Sequence, residues 1–227
     1  MAVKRVAKVA AEGAVATAVV EAPVAKASEL RSEVQEFKRR RILEEARELF
    51  FEQGYEATTL DAIAESLNVT KPFLYSYFRN KSEILNAICE IGITESIAAQ
   101  EEVLAMDLSP PDKLRLIVER VTTIVIRDQK YVVVYNREEK NLEAAEQKAL
   151  IDLRKSFDQK LAKLLEEGNA SGDFSVDQPR MLAVSISGML TWVATWFRSR
   201  ASYTVTDVVM HMIQTVDRMV GRKARAR

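Results

Sequence analysis

Apolar residues recur every three or four positions in one segment of this chain after another, and that rhythm limits the fold more than any other feature. Leu150, Leu153, Phe157, Leu161 and Leu164 form one stripe, and Leu114, Ile117, Val118, Val121, Ile124 and Val125 form a second. A period near 3.6 gathers such residues on a single helix face. Residues 131–135 are the exception, a β-branched run that would suit a strand. No second run exists to pair with it, so it too is read as helix. With only seven glycines and five prolines in 227 residues, the expectation is an all-α fold of about nine helices.

Capping chemistry marks where the helices begin. Ser32 with Gln35 opens a first helix whose stripe is Phe37, Ile42, Leu43, Ala46, Leu49 and Phe50, ending at Gly54. Thr59 caps a short second helix containing Leu60, Ile63, Ala64 and Leu67. After a corner at Asn68 and Val69, Thr70 caps a brief third helix with Pro72 in its first turn. Asn80 with Glu83 starts a fourth, running towards Met106. Ser109 and Pro110 begin a fifth, residues 143–167 form a long charged helix closed by Gly168, Pro179 opens another, and Thr206 caps the last, which carries Val209, Met212, Val216 and Val220. The expected organisation is a tail over 1–31, a helix-turn-helix domain over 32–80, a helical body over 81–221 and a frayed basic end over 222–227.

Several functional classes fall away on composition. Formal charge is zero, with 33 basic and 33 acidic residues, so a nucleic-acid contact must rest on a local patch. Lys4, Arg5 and Lys8 precede an Ala/Val-rich stretch in the manner of a secretory leader. Glu12 and Glu21 interrupt it, and a tail is the better reading. Arg127, Asp128, Gln129 and Lys130 split the most apolar region, leaving no run long enough for a membrane span. One cysteine, Cys89, permits no internal disulfide and reads as a buried thiol in a reducing, cytoplasmic setting. The single histidine, His211, has no evident nucleophile or orienting partner, and no metal-ligand spacing or phosphate-binding glycine loop occurs. An enzyme is not expected, nor any metal or cofactor.

Two short helices joined by a tight corner make a helix-turn-helix, whose second helix can lie in a major groove. The run Gly54-Tyr55, Thr58-Thr59, Ile63-Ala64, then Val69-Thr70-Lys71-Pro72-Phe73-Leu74-Tyr75-Ser76-Tyr77-Phe78 and Asn80-Lys81-Ser82-Glu83-Ile84-Leu85 resembles the TetR family of bacterial regulators over about fifty residues. Lys71, Lys81 and the Tyr77 hydroxyl have the chemistry to meet phosphates. Thr70, Phe73 and Ser76 suit base edges, with Tyr75 able to do either. The resemblance implies a phosphate contact for Thr59 as well, and Pro72 belongs to the same surface. The alternative is that Lys71 and Lys81 are merely solvated, that Thr59 and Thr70 are only caps, and that Tyr77 and Phe78 are core; for Phe78 core is the preferred reading. The run Lys38, Arg39, Arg40 and Arg41 either leans on DNA backbone or forms a solvated face.

Beyond residue 88 the chain is less distinctive. Residues 187–198, preceded by Gly172-Asp173-Phe174 and Asp177, resemble TetR members that respond to acyl-coenzyme A thioesters. Their helix is apolar on two sides. Met189, Val193, Trp192 and Trp196, with Val121, Val125, Tyr131 and Tyr135, are candidates to line an effector site, although the tryptophans and tyrosines could equally be packing. Ser185, Gly188 and Thr195, with Val209, Met212 and Val216 of the last helix, are candidates for a two-fold dimer contact. The expected function is a homodimeric repressor of a near-palindromic duplex operator, released by a small hydrophobic or acyl-coenzyme A effector, with the fourth helix as lever. A lipophilic drug or aromatic effector is the rival within this class. A small-molecule carrier whose helix-turn-helix is only a packed cap is the rival outside it.

Overall fold

The computed structural model describes residues 18–198 and 203–221, with side chains from residue 29 onward. Among them are nine α-helices, one 3₁₀ turn at Glu139–Asn141 and no strand. The helices are α1 (Ala18–Gln53), α2 (Leu60–Ser66), α3 (Lys71–Tyr75), α4 (Lys81–Leu104), α5 (Pro110–Arg127), α6 (Gln129–Glu138), α7 (Ala144–Ala170), α8 (Pro179–Trp196) and α9 (Val205–Met219). The ambiguous run at 131–135 is helical, within α6. The expected basic end and most of the expected N-terminal tail lie outside the described residues.

The chain divides into a unit up to Glu44 and a unit from Glu45. In the first, α1 is already helical at Ala18, so Ser32 lies inside a helix and does not open one. Leu30, Val34 and Phe37 are exposed there, the last against expectation. The Arg40 guanidinium lies 6.0 Å from the Phe37 ring centre, and Arg41 pairs with Glu44 at 2.7 Å.

In the second unit α5 is the central helix, packed against α4, α8 and α9. Of its expected stripe, Leu114, Ile117, Val118, Val121 and Val125 are buried and Ile124 is half-buried at the margin; the buried five join Phe157, Leu161 and Leu164 of α7 and Ile186, Leu190 and Val193 of α8 in one core. Each such side chain contributes about 1.5–3 kcal/mol by leaving water. Met212 and Val216 of α9 belong to that core too, and Val209 is buried beside them.

Two helix ends differ from expectation for identifiable reasons. Helix α7 does not stop at Gly168; it continues to Ala170 and turns at Gly172, whose φ is +78°. Gly168 serves close packing instead: a Cβ there would sit 2.0 Å from Cδ2 of Phe174. Helix α9 is capped by Thr204, not Thr206. The Thr204 hydroxyl accepts the Asp207 amide at 3.2 Å while the Asp207 carboxylate accepts the Thr204 amide at 2.8 Å, a reciprocal pair that satisfies two otherwise orphaned donors.

Candidate nucleic-acid interface and effector cavity

The corner between α2 and α3 is built from backbone chemistry that only a few residues allow. Asn68 has φ +54°, a left-handed conformation that asparagine tolerates better than most residues. Its amide donates to Glu65 O at 2.9 Å, and the Val69 amide reaches back to Ala64 O at 2.9 Å. These two bonds are the Schellman arrangement that closes a helix C-terminus. Upstream, Thr59 caps α2 by accepting the Ala62 amide at 3.1 Å. The Thr58 hydroxyl is buried and donates to Gly54 O at 2.8 Å. Thr70 occupies the N-cap of α3 but its side chain caps nothing.

This corner presents a ridge. Thr70, Lys71, Pro72, Tyr75 and Ser76 are exposed, while Leu74 and Phe78 are buried beneath them. Phe73 and Tyr77 are half-buried, their ring centres 5.1 Å apart. Ser76 spends its hydroxyl proton on Phe73 O at 2.6 Å, which leaves its oxygen free to accept. Lys71 is paired with Asp61 at 2.9 Å, and that hydrogen bond raises its already high pKa. Arg79, which the sequence reading passed over, is an exposed residue at the far end of the ridge.

Lys81 does something different from what was expected. Its ammonium donates to Tyr55 O at 2.7 Å, Thr58 O at 3.0 Å and Glu56 O at 3.4 Å, and it stands 4.2 Å from the Tyr55 ring centre. An ammonium has three protons, and here all three are turned inward. Lys81 therefore ties the loop before α2 to the start of α4 and is not an outward phosphate contact.

A cavity lies among α4, α5, α6, α7 and α8, in two adjoining lobes. The inner one, about 120 Å³, is lined by Cys89, Tyr131, Val132, Tyr135 and Leu150, among others. The outer one, about 180 Å³, is lined by Val121, Phe157, Asp158, Ser187 and Gly188, among others. Ile93, Ser96, Val125, Arg154 and Thr191 border both. Four expected ligand residues, Val121, Val125, Tyr131 and Tyr135, are thus brought together. The other four are not. Val193 is core, Met189 packs against the core, and Trp192 and Trp196 are 60% and 42% exposed on the outer side of α8. Burial pushes the Cys89 thiol up to about 12, with nearby Glu139 and Glu146 adding to it, so that wall carries no charge. Burial likewise raises the Tyr135 phenol to about 12, helped by a hydrogen bond with Glu139.

Helix α6 joins this cavity to the reader. Tyr131 and Tyr135 face the cavity, and on its other side α6 grips the end of α1 and the following loop. The Arg47 guanidinium stacks 4.5 Å from the Tyr131 ring centre, Lys130 pairs with Glu48, and Arg137 donates to Phe51 O at 3.0 Å. Buried Glu138 accepts the Tyr55 amide at 3.3 Å. Neither Glu138 nor Arg47 stood out in the sequence, because each matters only through a partner far along the chain.

Of the expected dimer residues, Val209, Met212 and Val216 are spent on the protomer's own interior. Ser185 and Gly188 are exposed, Thr195 half so, and nothing lies within 4 Å of a Cβ built at Gly188. Met181, Val184 and Trp192 are exposed along α8 as well. No described helix is long and apolar enough to cross a membrane, and no metal-binding cluster occurs among the described residues.

Residues 42–88 match the family described as bacterial regulatory proteins, tetR family, and residues 107–220 match the tetracyclin repressor-like C-terminal domain. The chain belongs to the TetR family of transcriptional regulators. It is 28% identical over 181 residues to the HTH-type transcriptional repressor KstR2 of Rhodococcus jostii (strain RHA1), covering 79% of this chain and 89% of that protein. It is 25% identical over 166 residues to the fatty acid metabolism regulator protein of Bacillus subtilis (strain 168), covering 71% and 84%. It also resembles AibR, solved in complex with isovaleryl coenzyme A and operator DNA: TM-score 0.69, 25% identity, covering 78% of this chain and 96% of that one.

Proposed function

We propose that this protein is a homodimeric repressor whose grip on a near-palindromic operator is loosened by an acyl-coenzyme A thioester bound through the α4–α8 cavity. The observation that carries the reading is the double duty of α6. One ten-residue helix supplies Tyr131 and Tyr135 to the cavity wall and Glu138 to the loop ahead of the reader. An occupant that shifts α6 also shifts what holds α1 and Tyr55. A preference of about 1–3 kcal/mol for the shifted state is enough to lower operator affinity appreciably. This makes α6 a lever beside α4.

The exposed ridge of Thr70, Lys71, Pro72, Tyr75 and Ser76 is the reading surface, with Phe73 and Tyr77 as its half-buried support and Thr59 at the adjacent helix start. Lys71 and Arg79 supply the phosphate contacts. Two copies meet through the face of α8 that carries Ser185, Met181 and Trp192, beside the outer lobe whose rim includes Val184 and Gly188. The acyl thioester is favoured by the complex described for AibR and by the name of the Bacillus subtilis relative.

The test begins by selecting a duplex from a random pool with purified protein, then following its complex by fluorescence anisotropy. Acyl-coenzyme A thioesters should release the duplex and hydrophobic cations should not. Release by the cations alone would refute the effector class, and failure to enrich any duplex would refute the reader.

A further inference from the structure

Arg154, half-exposed at the cavity's edge, is one of the five residues that border both lobes and the one cationic side chain among the described residues lining them, with Asp158 the one anionic side chain, in the outer lobe. Its guanidinium donates to the Tyr135 hydroxyl, lies 5.1 Å from the centre of that ring and stands 3.9 Å from the Glu139 carboxylate. The planar fork is thus held by one aromatic face while donors remain for another acceptor, since guanidinium carries five N–H groups. The inner lobe sets Cys89, Ile93, Val132 and Leu150 beside the polar Ser96, Asn136 and Thr191, and Arg154 is the one charged residue among its lining. The outer lobe offers the Ser187 hydroxyl, bonded to Asp158, as a partner for amide or hydroxyl groups.

We propose that Arg154 is the specificity anchor of this cavity, donating to the carbonyl oxygen of an acyl group whose tail, short or branched, fills the inner lobe. This rests on reading the cavity as the effector site and adds which part of the effector is recognised. Size supports it. A cavity of about 150 Å³ takes a guest the size of benzene, so about 120 Å³ suits a tail of a few carbons. A carbonyl sits directly beside such a tail in both a free carboxylic acid and a thioester. The rest of a thioester then leaves through the outer lobe, past Ser187 and Asp158.

The experiment uses the full chain and isothermal titration with five probes: isovaleryl-coenzyme A, its 3-methylbutyl thioether lacking the carbonyl, free isovalerate, palmitoyl-coenzyme A and a lipophilic cation. The wild type should bind isovaleryl-coenzyme A about tenfold or more tightly than the thioether, and than palmitoyl-coenzyme A. Arg154→Met should erase the preference over the thioether, and Arg154→Lys should restore part of it. Circular dichroism checks each variant's fold, and if Arg154→Met does not fold the comparison passes to Arg154→Lys and Arg154→Gln. Isovalerate binding as tightly as the thioester identifies the free acid as the source of the carbonyl.

The anchor is overturned if Arg154→Met weakens thioester and thioether by the same factor, or weakens neither, or if the wild type takes the palmitoyl chain as well as the short one. Binding of the cation with no response to any acyl probe overturns the effector class itself. Retained thioester preference in Arg154→Met removes only the anchor.

Discussion

The buried carboxylate of Glu138 accepts the backbone amide of Tyr55 at 3.3 Å, so the last turn of a cavity-lining helix holds the loop that leads into the reader. Asn141 donates a second bond to the same side chain at 2.8 Å. Replacing Glu138 with Ala leaves the Tyr55 amide without its acceptor and should cost about 1–3 kcal/mol in urea denaturation. It should also weaken the response of operator binding to effector more than it weakens effector binding itself. An unchanged response would show that the signal travels by another route.

Lys71 and Lys81 should separate cleanly under substitution. Lys71→Ala should weaken binding to all duplex sequences alike and lower the salt slope by about one, since it removes one outward cation. Lys81→Ala should leave that slope in place and instead lower the denaturation midpoint, because three loop carbonyls lose their donor. The readings are anisotropy against salt concentration and urea melts; a fall in slope for Lys81→Ala would return it to the phosphate surface.

Asn68 is the residue on which the corner turns. Asn68→Gly should be tolerated, whereas Asn68→Val should cost more than about 1–2 kcal/mol, because a β-branched side chain resists φ near +54°. Operator affinity should fall in step with stability. A valine variant as stable as the wild type would mean that the corner can relax without its left-handed residue.

Gly168→Ala should destabilise by about 1–3 kcal/mol, as overpacking does, because the new methyl would meet the Phe174 ring at 2.0 Å. Phe174→Leu should lose less when combined with Gly168→Ala than it does in the wild type. The double-mutant cycle reads the coupling directly, and additivity would deny the contact.

Alkaline pH should erode stability. The Cys89 thiol is raised from 9.0 to about 12 and the Tyr135 phenol from 10.0 to about 12. The unfolded chain therefore releases these protons first. Their contribution is whole below about pH 9 and is lost as pH climbs towards 12. Urea midpoints at about pH 8 and about pH 10.5 should show the fall, and Cys89→Ala should show less of it; equal falls would clear Cys89 of any part.

What was legible in the sequence is what neighbours along the chain decide. The Asn68 corner, the Thr59 cap and all of the α5 stripe but Ile124 follow from residues within a turn or two and stand as read. What was missed needed a distant partner. Gly168 looks like a helix stop until Phe174 is folded onto it, and Ser32 looks like a start although the helix is already under way. The stripe of Val209, Met212 and Val216 was correctly apolar, but only packing reveals that α5 claims it. Periodicity likewise cannot say which side of α8 meets the core, and Trp192 and Trp196, candidates for the effector site, stand exposed on its outer side. Lys81, Glu138 and Arg154 carry no local signature, since each is defined by a group contributed from another helix.

The inward hold of Lys81 bears on how such a protein can be taken apart. A chimera joined just before α4 would keep the recognition ridge yet discard the side chain that fastens its own preceding loop, and a foreign helix would have to supply an equivalent. Swapping readers between regulators of this build therefore calls for a junction placed further into α4, so that the donor brings its fastening with it.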